Sequence, residues 1–197
     1  MRIIAGSLRG RTLASVGKGD PGAHLRPTTD RVRESLFNML SGGRFGDPFE
    51  DAVVLDLFAG TGALGFEALS RGAEKVIFVD DGRKANALLR ENIRILGVAG
   101  QSRIFSRDAT QLPQADGPPA NLVFLDPPYG KDLGVRALSA ATSAGWIAPE
   151  ALIVWEENAP QNPPPAFSLL ETRRYGDTHV TLLCSESADT GRTEEHL

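Results

Sequence analysis

A glycine-rich segment and a distant acid form the first pattern in this 197-residue chain that could support chemistry. The segment reads Asp56-Leu57-Phe58-Ala59-Gly60-Thr61-Gly62-Ala63-Leu64-Gly65, so that G-x-G-x-x-G lies between a predicted strand and a predicted helix. Asp80 lies 20 residues after Gly60, at the end of the next predicted strand. This combination is typical of nucleotide-type sites in which the acid binds ribose hydroxyls. It fits a nicotinamide site and an adenosylmethionine site equally well.

Three aspartates at predicted strand ends favour adenosylmethionine. Asp56 is the penultimate residue of its predicted strand, and Asp80 and Asp126 directly follow theirs. The carboxyl ends of strands in a doubly wound sheet open into one crevice. A cluster of carboxylates repels a pyrophosphate but suits a ligand that carries an ammonium and a sulfonium. The helix N-terminus after the glycines can still accept the ligand's carboxylate. The alternative is a tight strand-to-helix turn that binds no ligand.

The second chemical pattern is a proline-rich loop, Asp126-Pro127-Pro128-Tyr129, which follows the apolar run 121–125. Two prolines stiffen the loop and remove two backbone donors. The Asp126 carboxylate and the Pro127 carbonyl are the acceptors that remain, and they could hold the two hydrogens of an exocyclic amine. Tyr129 offers a flat face on which a base could stack, an interaction worth about 1–3 kcal/mol. We therefore predict Asp126, Pro127 and Tyr129 as the catalytic residues, the alternative being a rigid turn with Tyr129 in the core.

The elements that must position these motifs alternate between strand and helix from residue 52 onward. Such alternation predicts an α/β fold, a Rossmann-like doubly wound sheet that is mostly parallel with helices on both faces. The predicted strands are 52–57, 75–79, 103–105, 121–125 and 151–155, and the predicted helices are 63–71, 85–96 and 133–144.

The two ends of the chain depart from this alternation. Residues 167–172 and 179–184 are predicted strands joined by a turn at 175–177, so the sheet should end in an antiparallel hairpin. The stretch 160–166, PQNPPPA, excludes a helix or a central strand, and no role is assigned to it. At the N-terminus, 2–5 and 11–16 predict a short hairpin.

A helix follows from near Thr29, with Val32, Leu36, Met39 and Leu40 on one face. The predicted organisation is a basic N-terminal extension (1–44), a domain that carries both chemical motifs (45–184) and a disordered tail (185–197).

Charge is distributed unevenly along the chain. The net charge is −4, yet the first 44 residues carry eight Lys and Arg against three acids. A basic segment on an acidic body suits a polyanion that touches the protein at one place. Arg9, Arg11, Lys18 and Arg26 are therefore predicted to bind the phosphates of a nucleic acid, the alternative being a solvated arm without a partner.

The predicted N-terminal helix carries further polar residues of open role. Arg31 and Arg33 could form a solvated face, or Arg33 could join Asn38 in capping the cofactor pocket. The sequence does not distinguish between these two interpretations.

Composition limits the other classes of protein. A single cysteine, Cys184, excludes an internal disulfide, and three scattered histidines predict no metal site. No apolar run approaches the roughly 18 residues needed to span a bilayer, and no signal peptide is evident. We expect a monomeric cytoplasmic enzyme.

The two motifs together resemble the class I S-adenosylmethionine-dependent methyltransferases, in particular those that methylate amino groups. In that family the glycine motif surrounds the methionine and ribose parts of the cofactor. The resemblance implies that Asp80 holds the ribose hydroxyls and that Asp108, in Arg107-Asp108-Ala109, holds the adenine amine. The cofactor-binding residues implied are Asp56, Phe58, Gly60, Thr61, Gly62, Asp80, Asp108 and Ala109.

The N-terminal motifs resemble the RsmD family more specifically. They are Met1-Arg2-Ile3-Ile4-Ala5-Gly6, then Arg9-Gly10-Arg11, then the run 25–38, LRPTTDRVRESLFN, and the similarity extends to about Cys184. Members of this family methylate N2 of a guanine in small-subunit (16S) ribosomal RNA. The resemblance therefore implies S-adenosylmethionine as cofactor and ribosomal RNA within the small subunit as partner. Asp80 is a conservative departure, since relatives often have glutamate there.

Four rival functions share part of these patterns. A DNA N6-adenine methyltransferase would share both motifs, although 197 residues leave no room for a separate recognition domain. A protein-glutamine N5-methyltransferase acting on release factors usually has Asn in place of Asp126. A nicotinamide-dependent oxidoreductase fits the glycine motif but not the Asp-Pro-Pro-Tyr loop. An RNA-binding module without activity would not need both motifs intact.

Overall fold

A computed structural model of the chain describes residues 1–15 and 30–187, and within them seven strands form one sheet. Helices connect the first three strands to one another and the fourth strand to the fifth, whereas residues 106–119 connect the third strand to the fourth without a helix. The strands are β1 (Val53–Leu57), β2 (Lys75–Val79), β3 (Ser102–Phe105), β4 (Ala120–Leu125), β5 (Ile147–Glu157), β6 (Phe167–Tyr175) and β7 (Thr178–Ser185). The helices are α1 (Asp30–Leu40), α2 (Ala63–Ser70), α3 (Arg83–Leu96) and α4 (Leu133–Ser143), with a 3₁₀ turn at Ala99–Gln101.

The strands lie in the order β3-β2-β1-β4-β5-β7-β6. The pairs among β1 to β5 are parallel, whereas β7 pairs antiparallel with both β5 and β6. The predicted α/β sheet with a C-terminal antiparallel hairpin is therefore confirmed. The order reverses between β1 and β4, which is where a doubly wound sheet opens a crevice at its carboxyl edge.

Helices cover the two faces of the sheet unequally. Apolar side chains of α1, α2 and α3 pack on one face, and α4 with the segment 106–119 packs on the other. On the first face Phe37 of α1 stacks on Phe49 at 5.4 Å between ring centroids and lies 5.6 Å from the ring of Phe124. Such aromatic pairs bury large apolar areas and fix the helix on the sheet. The central strands are thus buried on both sides, which explains their unbroken apolar runs.

The N-terminal segment folds back on itself and docks on α2 and α3. Its predicted hairpin is reduced to a single antiparallel bridge between Arg2 and Thr12. The amides of Ile4 and Ala5 donate to the buried carboxylate of Glu67 at 2.8 and 3.0 Å. Apolar side chains from before residue 44 belong to the same core as those of the sheet. The division into 1–44 and 45–184 stays a prediction.

Arg33 lies inside this interface. Its side chain is 1% exposed, and its guanidinium donates to the carbonyl of Arg2. The interpretation of Arg33 as a solvated residue was wrong, because Arg33 continues the buried face formed by Leu36, Phe37 and Leu40. That spacing, i, i+3, i+4 and i+7, is the inward stripe of a helix. Arg31 is exposed.

The bounds of several elements differ from the predicted ones. β5 is longer than the predicted 151–155, because it pairs with β4 on one side and with β7 on the other. Residues 160–166 form the connection from β5 to β6. Of the predicted tail, residues 188–197 fall outside the described part of the chain, as do Thr28 and Thr29 before α1. None of the described helices has the length and apolar character needed to cross a bilayer.

Two glycines of the docked segment allow a matched test of this packing. Gly6 and Gly10 have φ of +80° and +81°, but a Cβ on Gly6 would lie 1.6 Å from the carbonyl oxygen of Ser70, whereas Gly10 is surrounded by open space. We expect Gly10→Ala to cost roughly 1–2 kcal/mol through backbone strain alone. Gly6→Ala should cost roughly 1–3 kcal/mol more, because it overpacks the interface. Urea unfolding measures both variants, and equal losses would contradict the docking.

Candidate active site

The sheet register brings the predicted site residues to one edge. Leu57 at the end of β1 lies opposite Val79 of β2 and Leu125 of β4. Asp80 and Asp126 each follow immediately after those partners. Because parallel strands end at the same edge of a sheet, the glycine loop, Asp80 and the Asp-Pro-Pro-Tyr loop surround one crevice.

The glycine loop is tied to Asp56 and Asp80 by backbone hydrogen bonds. Asp56 is 2% exposed, and its Oδ2 accepts the amide of Gly65 at 3.0 Å, which joins β1 to the first turn of α2. Asp80 accepts the amide of Gly60 on Oδ2 and the amide of Gly82 on Oδ1, both at 2.8 Å. The loop that follows β1 is therefore held in shape by the acid that ends β2.

Three residues of this loop, Phe58, Gly60 and Gly62, have positive φ and so a left-handed backbone conformation. Phe58 has φ of +59°, a strained value for a residue with a side chain. Gly62 has φ of +79°, and a Cβ there would lie 2.5 Å from the ring of Phe66 and 2.7 Å from Leu89. Only glycine fits at that position, so the loop can pack tightly against α2 and α3.

Asp108 stands beside the same crevice, three residues after β3. Its Oδ1 accepts both the amide and the hydroxyl of Thr110 at 2.8 Å, and its Oδ2 accepts from the Gln111 side chain at 3.3 Å. These hydrogen bonds, chiefly those from Thr110, lower the pKa of Asp108, so it is ionised at neutral pH. Ala109 is buried in the core beneath it.

In the Asp-Pro-Pro-Tyr loop, Pro127 is buried, Pro128 is exposed, and Asp126 and Tyr129 are half-buried. Burial raises the pKa of Tyr129, and a hydrogen bond between its side chain and that of Thr178 on β7 acts in the opposite sense. The tyrosine is thus fixed at one end while part of its ring stays accessible.

Two acids at the end of β5 were missed by sequence reasoning. Glu156 and Glu157 are 1% and 7% exposed, and they lie beside Asp126 because Leu125 pairs with Trp155. The signal was available, since an acid that closes an apolar strand is the pattern that selected Asp56, Asp80 and Asp126. The predicted strand ended at Trp155, and the two glutamates were left outside it.

Comparison with known proteins agrees with this geometry. A family model described as "Conserved hypothetical protein 95" matches residues 1–184. Ribosomal RNA small subunit methyltransferase D of Escherichia coli strain K12 is 41% identical over 190 residues, which cover 95% of this chain and 91% of that protein. This chain belongs to the RsmD family. The Haemophilus influenzae protein of the same name is 37% identical over 183 residues, 89% of each chain.

A solved structure from Escherichia coli, named yhhF, shares the fold of this RsmD-family chain. It superposes with a TM-score of 0.77 at 37% identity and covers 95% of this chain and 98% of its own. The family assignment therefore rests on both sequence and architecture, and it extends over nearly the whole chain.

Of the predicted phosphate-binding residues, Arg9 and Arg11 lie away from the crevice of this RsmD-family chain. Arg11 donates to the carbonyl of Ile95 near the end of α3, and the amide of Leu8 donates to Ser70 at the end of α2. Because these helices run antiparallel to the strands, their C-terminal ends lie at the amino edge of the sheet. Arg9 and Arg11 are therefore brought to the edge opposite Asp126. Lys18 and Arg26 fall outside the described residues.

Asn38, the predicted partner of Arg33 at the cofactor pocket, also lies toward the amino edge. It stands three residues before Ser41, whose hydroxyl accepts from Arg71 at the C-terminal end of α2. Within the part of the chain that the structure describes, no cluster of three or more His, Cys, Asp or Glu is arranged to hold a metal ion.

Burial raises the pKa values of the three aspartates in the crevice, and neighbouring acids add to the effect. Burial raises the pKa of Asp56 well above its usual range, partly offset by the Gly65 amide, and the charges of Asp126 and Asp80 raise it further. Burial also raises the pKa of Asp80, against the two glycine amides. For Asp126, burial is again the largest cause, followed by the charges of Glu156 and Glu157. The crevice therefore has a surplus of negative charge that favours a cationic ligand.

Removing the Asp126 charge should stabilise the fold in a pH-dependent way. Its folded pKa lies above the unfolded value of about 3.9, so its contribution to stability is complete below that value and is lost as pH rises through the folded pKa. Asp126→Asn should therefore raise Tm at pH 8, by about 2–4 °C for each kcal/mol recovered. The gain should shrink as pH falls toward about 4.

Thermal unfolding at several pH values measures this difference. Asp116→Asn is the control, because Asp116 forms an exposed ion pair with Arg103 at 2.7 Å, and such pairs contribute little. A gain for Asp126→Asn that stays the same at every pH, or a loss of stability at pH 8, would show that the carboxylate is not under electrostatic strain.

Proposed function

We propose that this chain transfers a methyl group from S-adenosylmethionine to the exocyclic N2 of a guanine in small-subunit ribosomal RNA. The observation that carries the proposal is that the glycine loop after β1 and the Asp126-Pro127 acceptors after β4 end adjacent paired strands. A cofactor site and an amine-binding site therefore face each other across one crevice. The kinship with proteins named ribosomal RNA small subunit methyltransferase D supports the choice of substrate.

The residues at the carboxyl edge fit S-adenosylmethionine. Asp80 and Asp108 are carboxylates with about four acceptor positions each, so each can accept from ligand hydroxyl or amine groups besides its backbone partners. The negative charge of the crevice suits the ammonium and the sulfonium. We assign the cofactor to Asp56, Phe58, Gly60, Thr61, Gly62, Asp80, Asp108 and Ala109.

The chain's own acceptors orient the amine. Bound S-adenosylmethionine supplies a methyl group on a positively charged sulfur. Asp126 and the Pro127 carbonyl accept the two N–H groups of the guanine amine, which points the nitrogen lone pair across the crevice. Holding two reactants in this way can contribute about 7–11 kcal/mol in the best intramolecular cases. The raised pKa of Asp126 makes it a stronger base than an ordinary carboxylate, so it can take the proton that the amine loses.

The target base must leave its stack to reach this loop. A base within a helix cannot approach Asp126, so the guanine is splayed out or lies in a single-stranded loop. Tyr129 then stacks on it, held by its contact with Thr178. The chain thereby recognises a guanine that the folded RNA already presents.

The arginines of the basic N-terminal extension (1–44) are better placed to bind a large folded RNA than a short oligonucleotide. We keep Arg9, Arg11 and Arg26 as phosphate-binding residues, which position an RNA without reading its sequence. Arg11 lies near the far end of α3, and a helix of 14 residues spans about 21 Å. An RNA that contacts both Arg11 and Asp126 must cover that length, as an assembled small subunit would. A cytoplasmic monomer meets these requirements.

The decisive experiment transfers labelled methyl groups from S-adenosylmethionine to small ribosomal subunits from cells that lack this gene. We expect the label in N2-methylguanosine. Asp126→Ala should abolish transfer while cofactor binding persists. No label in RNA, with label entering DNA or a release factor instead, would refute the proposed substrate.

Tyr129 provides a graded test of base stacking in the same assay. Tyr129→Phe keeps the aromatic face and should retain most of kcat/KM. Tyr129→Ala removes a stacking interaction worth about 1–3 kcal/mol and should lower kcat/KM by roughly 5- to 150-fold. Equal activity of the two variants would remove Tyr129 from base recognition.

A further inference from the structure

The loop that carries the acceptors is anchored immediately after Tyr129 by a buried acid of a neighbouring strand. The amide of Gly130 donates to Oε1 of Glu157 at 3.1 Å, and Oε2 of the same carboxylate accepts the amide of Asn158 at 2.8 Å. Gly130 has φ of +72°, a conformation that glycine adopts without strain and that strains other residues. The carboxylate thus holds the point at which the loop turns away from the crevice toward α4.

A second strand holds the residue before this point. Tyr129 contacts Thr178 through its side chain, and Thr178 is followed by His179, which pairs with Glu157 across β5 and β7. The peptide between Tyr129 and Gly130 is therefore fixed from two strands at once. At its other end, the loop leaves β4 with prolines at 127 and 128, which have little conformational freedom.

We propose that Glu157 is a positioning residue for methyl transfer: its buried carboxylate fixes the Gly130 peptide and so holds Tyr129 and the Pro127 carbonyl ready for the base. The inference rests on the proposed function, because it assigns Glu157 a part in that reaction. Glu157 acts through the loop, because its two oxygens accept the backbone amides of Gly130 and Asn158.

Two substitutions separate the contact from the charge. Glu157→Gln removes the charge but keeps a carbonyl oxygen at the same reach for the Gly130 amide, while the amide of Asn158, an exposed residue, can turn to water. Glu157→Asp keeps the charge but withdraws both oxygens by one methylene, so the contact with Gly130 is lost. Glu150→Ala is the matched control, because Glu150 is an exposed acid on the same strand at its opposite end.

The first measurement is hydrogen exchange of the Gly130 amide in the cofactor-free protein, which does not depend on activity. We expect Glu157→Asp to lower its protection at least tenfold, and Glu157→Gln and Glu150→Ala to leave it within about threefold of wild type. Unchanged protection in Glu157→Asp would overturn the anchoring, whether or not the chain methylates ribosomal RNA.

The second measurement separates kcat from KM with small ribosomal subunits as substrate. We expect Glu157→Asp to raise KM for the subunits and to lower kcat, each by about tenfold, with affinity for S-adenosylmethionine unchanged. Glu157→Gln should restore both constants to within about threefold of wild type. If Glu157→Gln is as impaired as Glu157→Asp while its Gly130 amide stays protected, the charge matters and the positioning role is wrong. If wild type itself transfers no methyl group to subunits, the proposed function fails while the exchange result stands.

Discussion

The parallel pairing of β1 with β4 is the constraint on which the rest of the site depends. Leu57 opposite Leu125 places the glycine loop and the Asp-Pro-Pro-Tyr loop at adjacent strand ends. A slip of one residue would turn every side chain to the other face, so that both apolar layers would have to repack and Asp126 would be displaced. Both strands are buried on both sides, so the register is fixed by the core, and the geometry of the site follows from it.

The buried acids of the crevice lower the stability of the fold when they are ionised. Asp56, Asp80 and Asp126 have pKa values raised mainly by burial, and Glu156 and Glu157 add further charge beside Asp126. Backbone amides from Gly60, Gly65, Gly82 and Gly130 offset part of that cost. A fold would not gather these acids for packing alone. In the proposed function, a cationic cofactor bound at this edge would account for the retained charge, and Asp126 would serve as a base.

The sequence predicts the motifs well because each is local: the glycine turn, the prolines and the apolar runs need no knowledge of distant residues. What it could not predict depends on tertiary packing. Arg33 is polar by type, yet the N-terminal segment covers it and supplies the Arg2 carbonyl. Arg9 and Arg11 are basic, but the docking of residues 1–15 on α2 and α3 places them at the amino edge. Glu157 follows an apolar run in the sequence, but its contact with Gly130, in the loop after β4, depends on the pairing of β4 with β5.

A crystal structure of the protein with S-adenosylhomocysteine would test the central claim most directly. We expect the ligand at the carboxyl edge, with its ribose at Asp80, its adenine at Asp108 and its sulfur facing Asp126 and the Pro127 carbonyl. A ligand bound elsewhere, or bound at this edge with its sulfur turned away from the Asp-Pro-Pro-Tyr loop, would contradict the claim that the two paired strand ends form one methyl-transfer site.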